Sequence, residues 1–82
     1  MGYSRPRPKH LAAKLLQIRR SLGLSQSQMV QRLGVGIPYA FISKYELDKN
    51  EPPLAVLLAY ARLTRIPVEY LIDDALEIPN EI

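Results

Sequence analysis

Residues 23–46 read GLSQSQMVQRLGVGIPYAFISKYE, and they contain the signals for two short helices joined by a turn. Ser25 and Gln28 fit a capping box, in which the serine oxygen accepts from the backbone of residue 28 and the glutamine side chain reaches back. Gly34 is a typical helix stop. The apolar residues between these signals recur at helical spacing and are Met29, Val30 and Leu33. The pattern predicts a short helix over residues 25–33.

A second helix is predicted over residues 38–46. Pro38 suits a first helical turn, because its missing N–H would be unpaired there anyway. An inner stripe is formed by Phe41, Ile42 and Tyr45. Off this stripe lie Tyr39, Ala40, Ser43 and Lys44. Two short helices joined at Gly34, the second with polar residues on its outer face, favour a helix-turn-helix.

Helical patterns also flank this pair. Before it, an apolar stripe starts after Lys9 and ends at Gly23, formed by Leu11, Leu15, Ile18 and Leu22. The rest of that helix is predicted to carry Lys14, Gln17, Arg20 and Ser21. After the pair, residues 54–64 are largely apolar, and Pro67 opens a short fifth helix. The prediction is an all-α fold of five helices in one domain, with no strand signal in the body of the chain.

Three regions are expected along the chain. Residues 1–8 form a flexible basic arm, because Pro6 and Pro8 lack backbone donors. Residues 9–73 form the helix-turn-helix domain. Residues 74–82 form an acidic tail with alternating apolar residues, which is either disordered or an extended segment that pairs with another chain.

Charge is divided unevenly between the two halves. Residues 1–44 carry eight Lys and Arg and no acidic residue, whereas residues 45–82 carry three basic and eight acidic residues, so a net charge of +3 hides halves of +8 and −5. A basic half without acids is typical of a protein that binds a polyanion. A merely solvated basic surface would show the same excess, and charge alone does not separate DNA from RNA or an anionic membrane.

Other classes of site find little support. The chain has no cysteine and one histidine, His10, so no metal site is predicted, and His10 is expected on the surface. No nucleophile–base pair, phosphate loop or paired carboxylates appear, so neither an enzyme nor a cofactor is expected. No apolar run approaches the roughly 20 residues of a membrane span, and no signal-peptide stretch is seen. A cytoplasmic location is expected.

The order and spacing of residues along this chain resemble those of the Cro/phage-repressor type helix-turn-helix family, also called the XRE family. The resemblance covers residues 11 to about 72 and is carried by Leu11, Leu15, Ile18-Arg19, Gly23-Leu24-Ser25-Gln26, Leu33-Gly34-Val35, Ile42-Ser43-Lys44, Glu46, Pro52, Leu54, Leu57-Leu58 and Ala61. It implies a lambda-repressor-like bundle in which residues 25–33 position the protein and residues 38–46 enter the major groove. It also implies that Gln26 holds a phosphate and that Arg19 pairs with Glu46.

Candidate DNA contacts follow from this resemblance. Bases are expected to be read by Tyr39, Ala40, Ser43 and Lys44. Phosphates are expected to be held by Gln26, Ser27, Lys49 and Asn50. In the arm, Arg5 and Arg7 either enter the minor groove or add non-specific attraction. The three tyrosines Tyr45, Tyr60 and Tyr70 are expected to be packing residues.

The sequence departs from the family pattern at three places. The turn at residues 34–38 is about two residues longer than usual, which affects how the recognition helix enters the groove. Asp48 stands where glycine is usual after the recognition helix, and aspartate can adopt a left-handed backbone at some cost. Arg65 stands where glycine often precedes the last helix.

The expected function is a sequence-specific regulator of transcription, a repressor that binds a palindromic DNA operator as a homodimer, with no membrane or small-molecule substrate as partner. One recognition helix covers few base pairs, and two copies about 34 Å apart would reach successive major-groove turns. The dimer surface is expected at Leu71, Leu76, Ile78 and Ile82. The alternatives are a protein-interaction module, such as the antitoxin of a toxin–antitoxin pair, and an RNA binder. The lack of aromatic clusters of the single-strand-binding type argues against the latter.

Overall fold

The computed structural model describes residues 7–79 and contains five helices. In chain order these are α1 (Leu11–Leu22), α2 (Gln26–Leu33), α3 (Ala40–Glu46), α4 (Leu54–Thr64) and α5 (Glu69–Ile72). Residues 7–79 contain no strand, so the all-α five-helix prediction is confirmed. α1 packs against α3 and α5, and α2 packs against α3 and α4. Within the same residues, no helix is both long and apolar enough to cross a membrane.

One apolar core joins all five helices. The side chains with the least exposure come from each helix in turn, and they are Leu15, Ile18, Met29, Ile42, Tyr60 and Leu71. Complete burial of an aliphatic side chain of this size stabilises a fold by about 1.5–3 kcal/mol. Because Met29 and Ile42 both belong to this core, α2 and α3 are held at a fixed angle to α1 and α4.

The predicted helix signals lie where they were expected. Gly23 ends α1 with a left-handed φ of +68°. Ser25 caps α2: its Oγ accepts from the N–H of Gln28 at 3.1 Å, and the Gln28 side chain accepts from the N–H of Ser25 at 2.9 Å. Arg65 ends α4 with φ +59°, a conformation that glycine adopts more easily.

Lys14 differs from its predicted place on the outer side of α1. Only 6% of the residue is exposed. Its Nζ donates to the carbonyl oxygens of Tyr70 at 2.7 Å and Asp73 at 2.9 Å. The long aliphatic stem lies along the core while the ammonium group reaches carbonyls that the end of α5 leaves without helical partners. A lysine thus ties α1 to α5.

The segment after α5 belongs to the domain and is not a separate tail. The Asp74 carboxylate accepts from the backbone N–H of Lys9 at 2.9 Å and of His10 at 3.0 Å, just before α1 begins. These hydrogen bonds lower the pKa of Asp74. Ile78 is buried in the core. Asp74 and Ile78 therefore pack with the domain whose boundary was expected at residue 73.

This packing also changes the expected dimer surface. Leu71 and Ile78 are buried in the core of a single copy, and Leu76 is half-buried. Side chains that fill the core of one copy cannot also cover a second copy without unfolding this segment. Ile82, the fourth residue of the predicted set, lies outside the described residues.

Candidate nucleic-acid interface

The turn between α2 and α3 spans residues 34–39. Gly34 and Gly36 both have a left-handed backbone, with φ of +65° and +70°, which costs glycine no steric strain. Between and after them, Val35 and Ile37 pack against the core. The long turn is therefore anchored to the core by alternate residues.

The recognition helix begins two residues later than predicted, at Ala40. The N–H of Phe41 donates to Pro38 and that of Ile42 donates to Tyr39, both at 3.0 Å. These bonds span three residues and not four, so Pro38 and Tyr39 form a tight turn that leads into the regular helix. This tight turn accommodates the extra residues between α2 and α3.

The outer face of α3 carries the predicted base-reading residues. Tyr39 is 59% exposed, Ala40 and Lys44 are exposed, and Ser43 is half-buried. On the opposite side, Ile42 and Tyr45 are buried. The short helix is therefore fixed by one face and presents the other to solvent.

Lys44 is positioned by an aromatic neighbour, Phe41, a contact that was not predicted from the sequence. Its Nζ lies over the Phe41 ring, 5.1 Å from the centroid. The Phe41 and Tyr45 rings are 6.3 Å apart and tilted by 31°. A cation over an aromatic face is attracted by the ring quadrupole. Phe41 and Lys44 are three residues apart on one helix, and side chains at that spacing are neighbours on the helix surface. The contact could therefore have been predicted from the sequence.

A bidentate ion pair ties α1 to the end of α3. Arg19 Nε donates to Glu46 Oε2 at 2.7 Å, and Arg19 Nη2 donates to Oε1 at 3.0 Å. A third donor, Arg19 Nη1, reaches the carbonyl of Leu24 at 3.0 Å. The hydrogen bonding of Arg19 to the Glu46 carboxylate raises the pKa of Arg19. The pair that the resemblance implies is thus present, and it also holds the loop before α2.

The same carboxylate orients the first residue of α2. Gln26 Nε2 donates to Glu46 Oε1 at 3.2 Å. A glutamine amide nitrogen has two hydrogens, so one is left for another acceptor beside the start of α2. Ser27 is exposed next to it. Two of the predicted phosphate contacts therefore lie at the helix end whose dipole favours an anion.

Tyr60 lies deep behind this ion pair. Tyr60 is fully buried, and its hydroxyl has no hydrogen-bond partner among the described residues. Burial raises the pKa of Tyr60, and the negative charge of Glu46 adds to the effect. The hydroxyl stays neutral, in agreement with the packing role expected for this tyrosine.

The other predicted phosphate contacts follow α3. Lys49 and Asn50 are exposed in the loop between α3 and α4. Arg7 of the arm contacts the residue before them, with Nη2 2.8 Å from Asp48 Oδ1. Arg5 lies outside the described residues. Within residues 7–79, no group of three or more His, Cys, Asp or Glu side chains could hold a metal ion.

Comparison with known proteins gives one match. A family model described as Helix-turn-helix (HTH_3) matches residues 15–71, which is more than half of the chain. No curated protein and no solved structure matches the chain.

Proposed function

The chain belongs to the helix-turn-helix family of the Cro/phage-repressor (XRE) type, a family of DNA-binding domains, and from this premise we propose that it is a repressor of transcription which binds a palindromic operator as a homodimer. DNA binding follows from the family. The operator, the repression and the dimer are the proposal. A chromosome-bound role agrees with the expected cytoplasmic location.

The observation that carries the proposal is the exposed outer face of α3 on a helix fixed from behind. Lys44 can donate to the acceptor atoms of guanine, and Ser43 can reach more than one base. The methyl group of Ala40 and the ring of Tyr39 can pack on a thymine methyl. Ile42 and Tyr45, buried on the other side, keep this surface at a constant angle to the rest of the domain.

Phosphate contacts on both sides of α3 would set the register. Gln26, held by Glu46, and Ser27 lie at the start of α2, whereas Lys49 and Asn50 follow α3. Such contacts position a protein on DNA without reading sequence. Their placement at the two ends of the helix pair is that expected for a helix lying between two phosphate strands.

The proposed dimer surface moves to side chains that one copy leaves exposed. Leu54 is 77% exposed and Ile72 is 45% exposed. Both line one recess, together with Pro8, Leu11, Glu51, Pro52, Pro53 and Leu57. Burial of these side chains by a second copy would remove apolar area from water, which burial of Leu71 or Ile78 cannot do.

Sedimentation of single variants tests this surface. Leu54→Asp and Ile72→Asp are each expected to leave a folded monomer where the wild type is a dimer. The matched control is Leu58→Asp, because Leu58 is also exposed on α4 but lines a different groove. If all three variants sediment as the wild type does, the recess is not the interface.

Binding to a selected operator tests the function. Duplexes enriched from a random pool would be compared with a scrambled duplex by fluorescence anisotropy across a salt series. Specific recognition is expected to favour the selected duplex by at least about a thousandfold. Lys44→Ala and Tyr39→Ala should lower that ratio, while Arg62→Ala, an exposed change on α4, should not. Equal, steeply salt-dependent binding to both duplexes would contradict base reading and direct attention to a protein partner.

A further inference from the structure

Asp48, two residues after the end of α3, has a backbone conformation that favours glycine. Its φ is +59°. In this conformation the N–H groups of Lys49 and Asn50 approach the carbonyl of Lys44, at 2.9 and 3.4 Å. A side chain at such a position crowds the neighbouring carbonyl, and glycine avoids this strain. The backbone alone therefore does not account for a carboxylate here.

The carboxylate of Asp48 contacts the basic arm. Its Oδ1 accepts from Arg7 Nη2 at 2.8 Å, across 41 positions of sequence. Both side chains are about half exposed, so the pair is weak and can exchange its partners. The contact places a guanidinium beside the end of the recognition helix.

This placement brings Arg7 close to the predicted phosphate contacts. Lys49 and Asn50 directly follow Asp48, and neighbouring Cα atoms are about 3.8 Å apart. The Cα atoms of Lys49 and Asn50 therefore lie within about 8 Å of that of Asp48, the residue that holds the Arg7 guanidinium. Arginine binds phosphate and carboxylate through the same paired donors, so the two anions compete for it.

The structure assigns Arg7 to a phosphate contact beside Lys49 and Asn50, with Asp48 as the group that competes with the phosphate for Arg7. The assignment rests on the proposed docking of α3 in the major groove, and it takes the place of both alternatives expected for this arginine, a minor-groove contact or non-specific attraction. While paired, Arg7 and Asp48 carry no net charge. DNA must displace the carboxylate before Arg7 adds to the release of counterions.

The test uses a scrambled duplex, because phosphate contacts do not depend on sequence. Affinity would be measured by anisotropy from about 50 to 200 mM salt for the wild type, Asp48→Asn, Arg7→Gln and the double variant. Asparagine tolerates a left-handed backbone, so Asp48→Asn should fold, which circular dichroism would verify. The matched control is Glu77→Gln, which removes one exposed negative charge far along the sequence from α3.

Asp48→Asn is expected to tighten binding by about three- to tenfold. The slope of log K against log salt concentration should become steeper by about 0.9. In the Arg7→Gln background, Asp48→Asn should tighten binding by less than about twofold. Glu77→Gln alone should also change the affinity by less than about twofold. An equal gain with and without Arg7 would overturn the assignment, because the effect would then be general repulsion. Weaker binding by Asp48→Asn would also overturn it. Lack of duplex binding by every variant would instead overturn the proposed function.

Discussion

Arg19 and Glu46 meet face to face between α1 and α3, with two hydrogen bonds of 2.7 and 3.0 Å. Only 17% of the arginine side chain and 5% of the glutamate side chain are exposed. The pair lies 27 positions apart in sequence and connects the first helix to the end of the recognition helix. The orientation of α3 in the domain therefore depends on an ion pair between two side chains that are distant in sequence.

Arg19→Ala should lower the free energy of unfolding by about 3–5 kcal/mol, because it leaves the Glu46 carboxylate buried without its partner. Urea denaturation would measure the loss. Replacement of both residues, Arg19→Met with Glu46→Leu, should recover most of it, since no buried charge remains. Arg20→Ala, an exposed neighbour in α1, should stay within about 0.5 kcal/mol of the wild type. A double variant as unstable as Arg19→Ala would contradict this account.

Ser25→Ala should lower the free energy of unfolding by about 1 kcal/mol, because the N–H of Gln28 loses its acceptor. Ser27→Ala provides the contrast. Ser27 is exposed and lies two residues after the capping serine. Its replacement should leave the free energy of unfolding unchanged while affinity for duplex DNA falls. Thermal denaturation and anisotropy on the same samples separate a capping role from a phosphate role. Equal losses of stability in both variants would refute the distinction.

Arg65→Gly should stabilise the protein by about 0.5–1 kcal/mol, because glycine adopts the left-handed backbone at the end of α4 without strain. The same substitution three residues earlier, Arg62→Gly, falls inside α4 and should destabilise by about 1 kcal/mol. Opposite signs in thermal denaturation are the expected result. Destabilisation by both would mean that the Arg65 side chain makes a contribution larger than the strain.

Asp74→Ala should remove a pH-dependent part of the stability. Hydrogen bonds from Lys9 and His10 lower the pKa of this carboxyl in the folded protein. A carboxyl with a lowered folded pKa stabilises above its ordinary pKa, and the contribution disappears as pH falls through the lowered value. The difference between wild type and Asp74→Ala should therefore be constant from neutral pH down to about 5 and shrink below about 4. Urea midpoints between these values would measure it, and a difference independent of pH would contradict stabilisation by the ionised Asp74 carboxylate.

Ile78→Ala should lower the free energy of unfolding by about 2–4 kcal/mol, as expected for an aliphatic side chain truncated in a core. Leu76→Ala should cost less, because Leu76 is only half-buried. Chemical denaturation at several protein concentrations would separate the two roles considered for this segment. A loss for Ile78→Ala that depends on protein concentration would indicate an interface between copies instead of a core.

Much of the fold could be predicted because its signals are local. A capping serine, a helix-ending glycine and apolar residues at helical spacing each act within a few positions, and they predicted α2, the bounds of α4 and the buried face of α1. The left-handed backbone at Asp48 was expected from the resemblance, because glycine is usual at this position in the family.

Local patterns in the chain were therefore sufficient to predict the five helices, the helix-turn-helix and the outer face of α3. The tertiary structure decided which charged groups meet: Lys14 with the end of α5, Asp74 with the start of α1, and Arg7 with Asp48. These partners are separated by between 41 and 65 positions, so no local pattern pairs them. It also decided that Leu71 and Ile78 belong to the core, because an apolar residue has the same spacing whether its own domain or a second copy covers it.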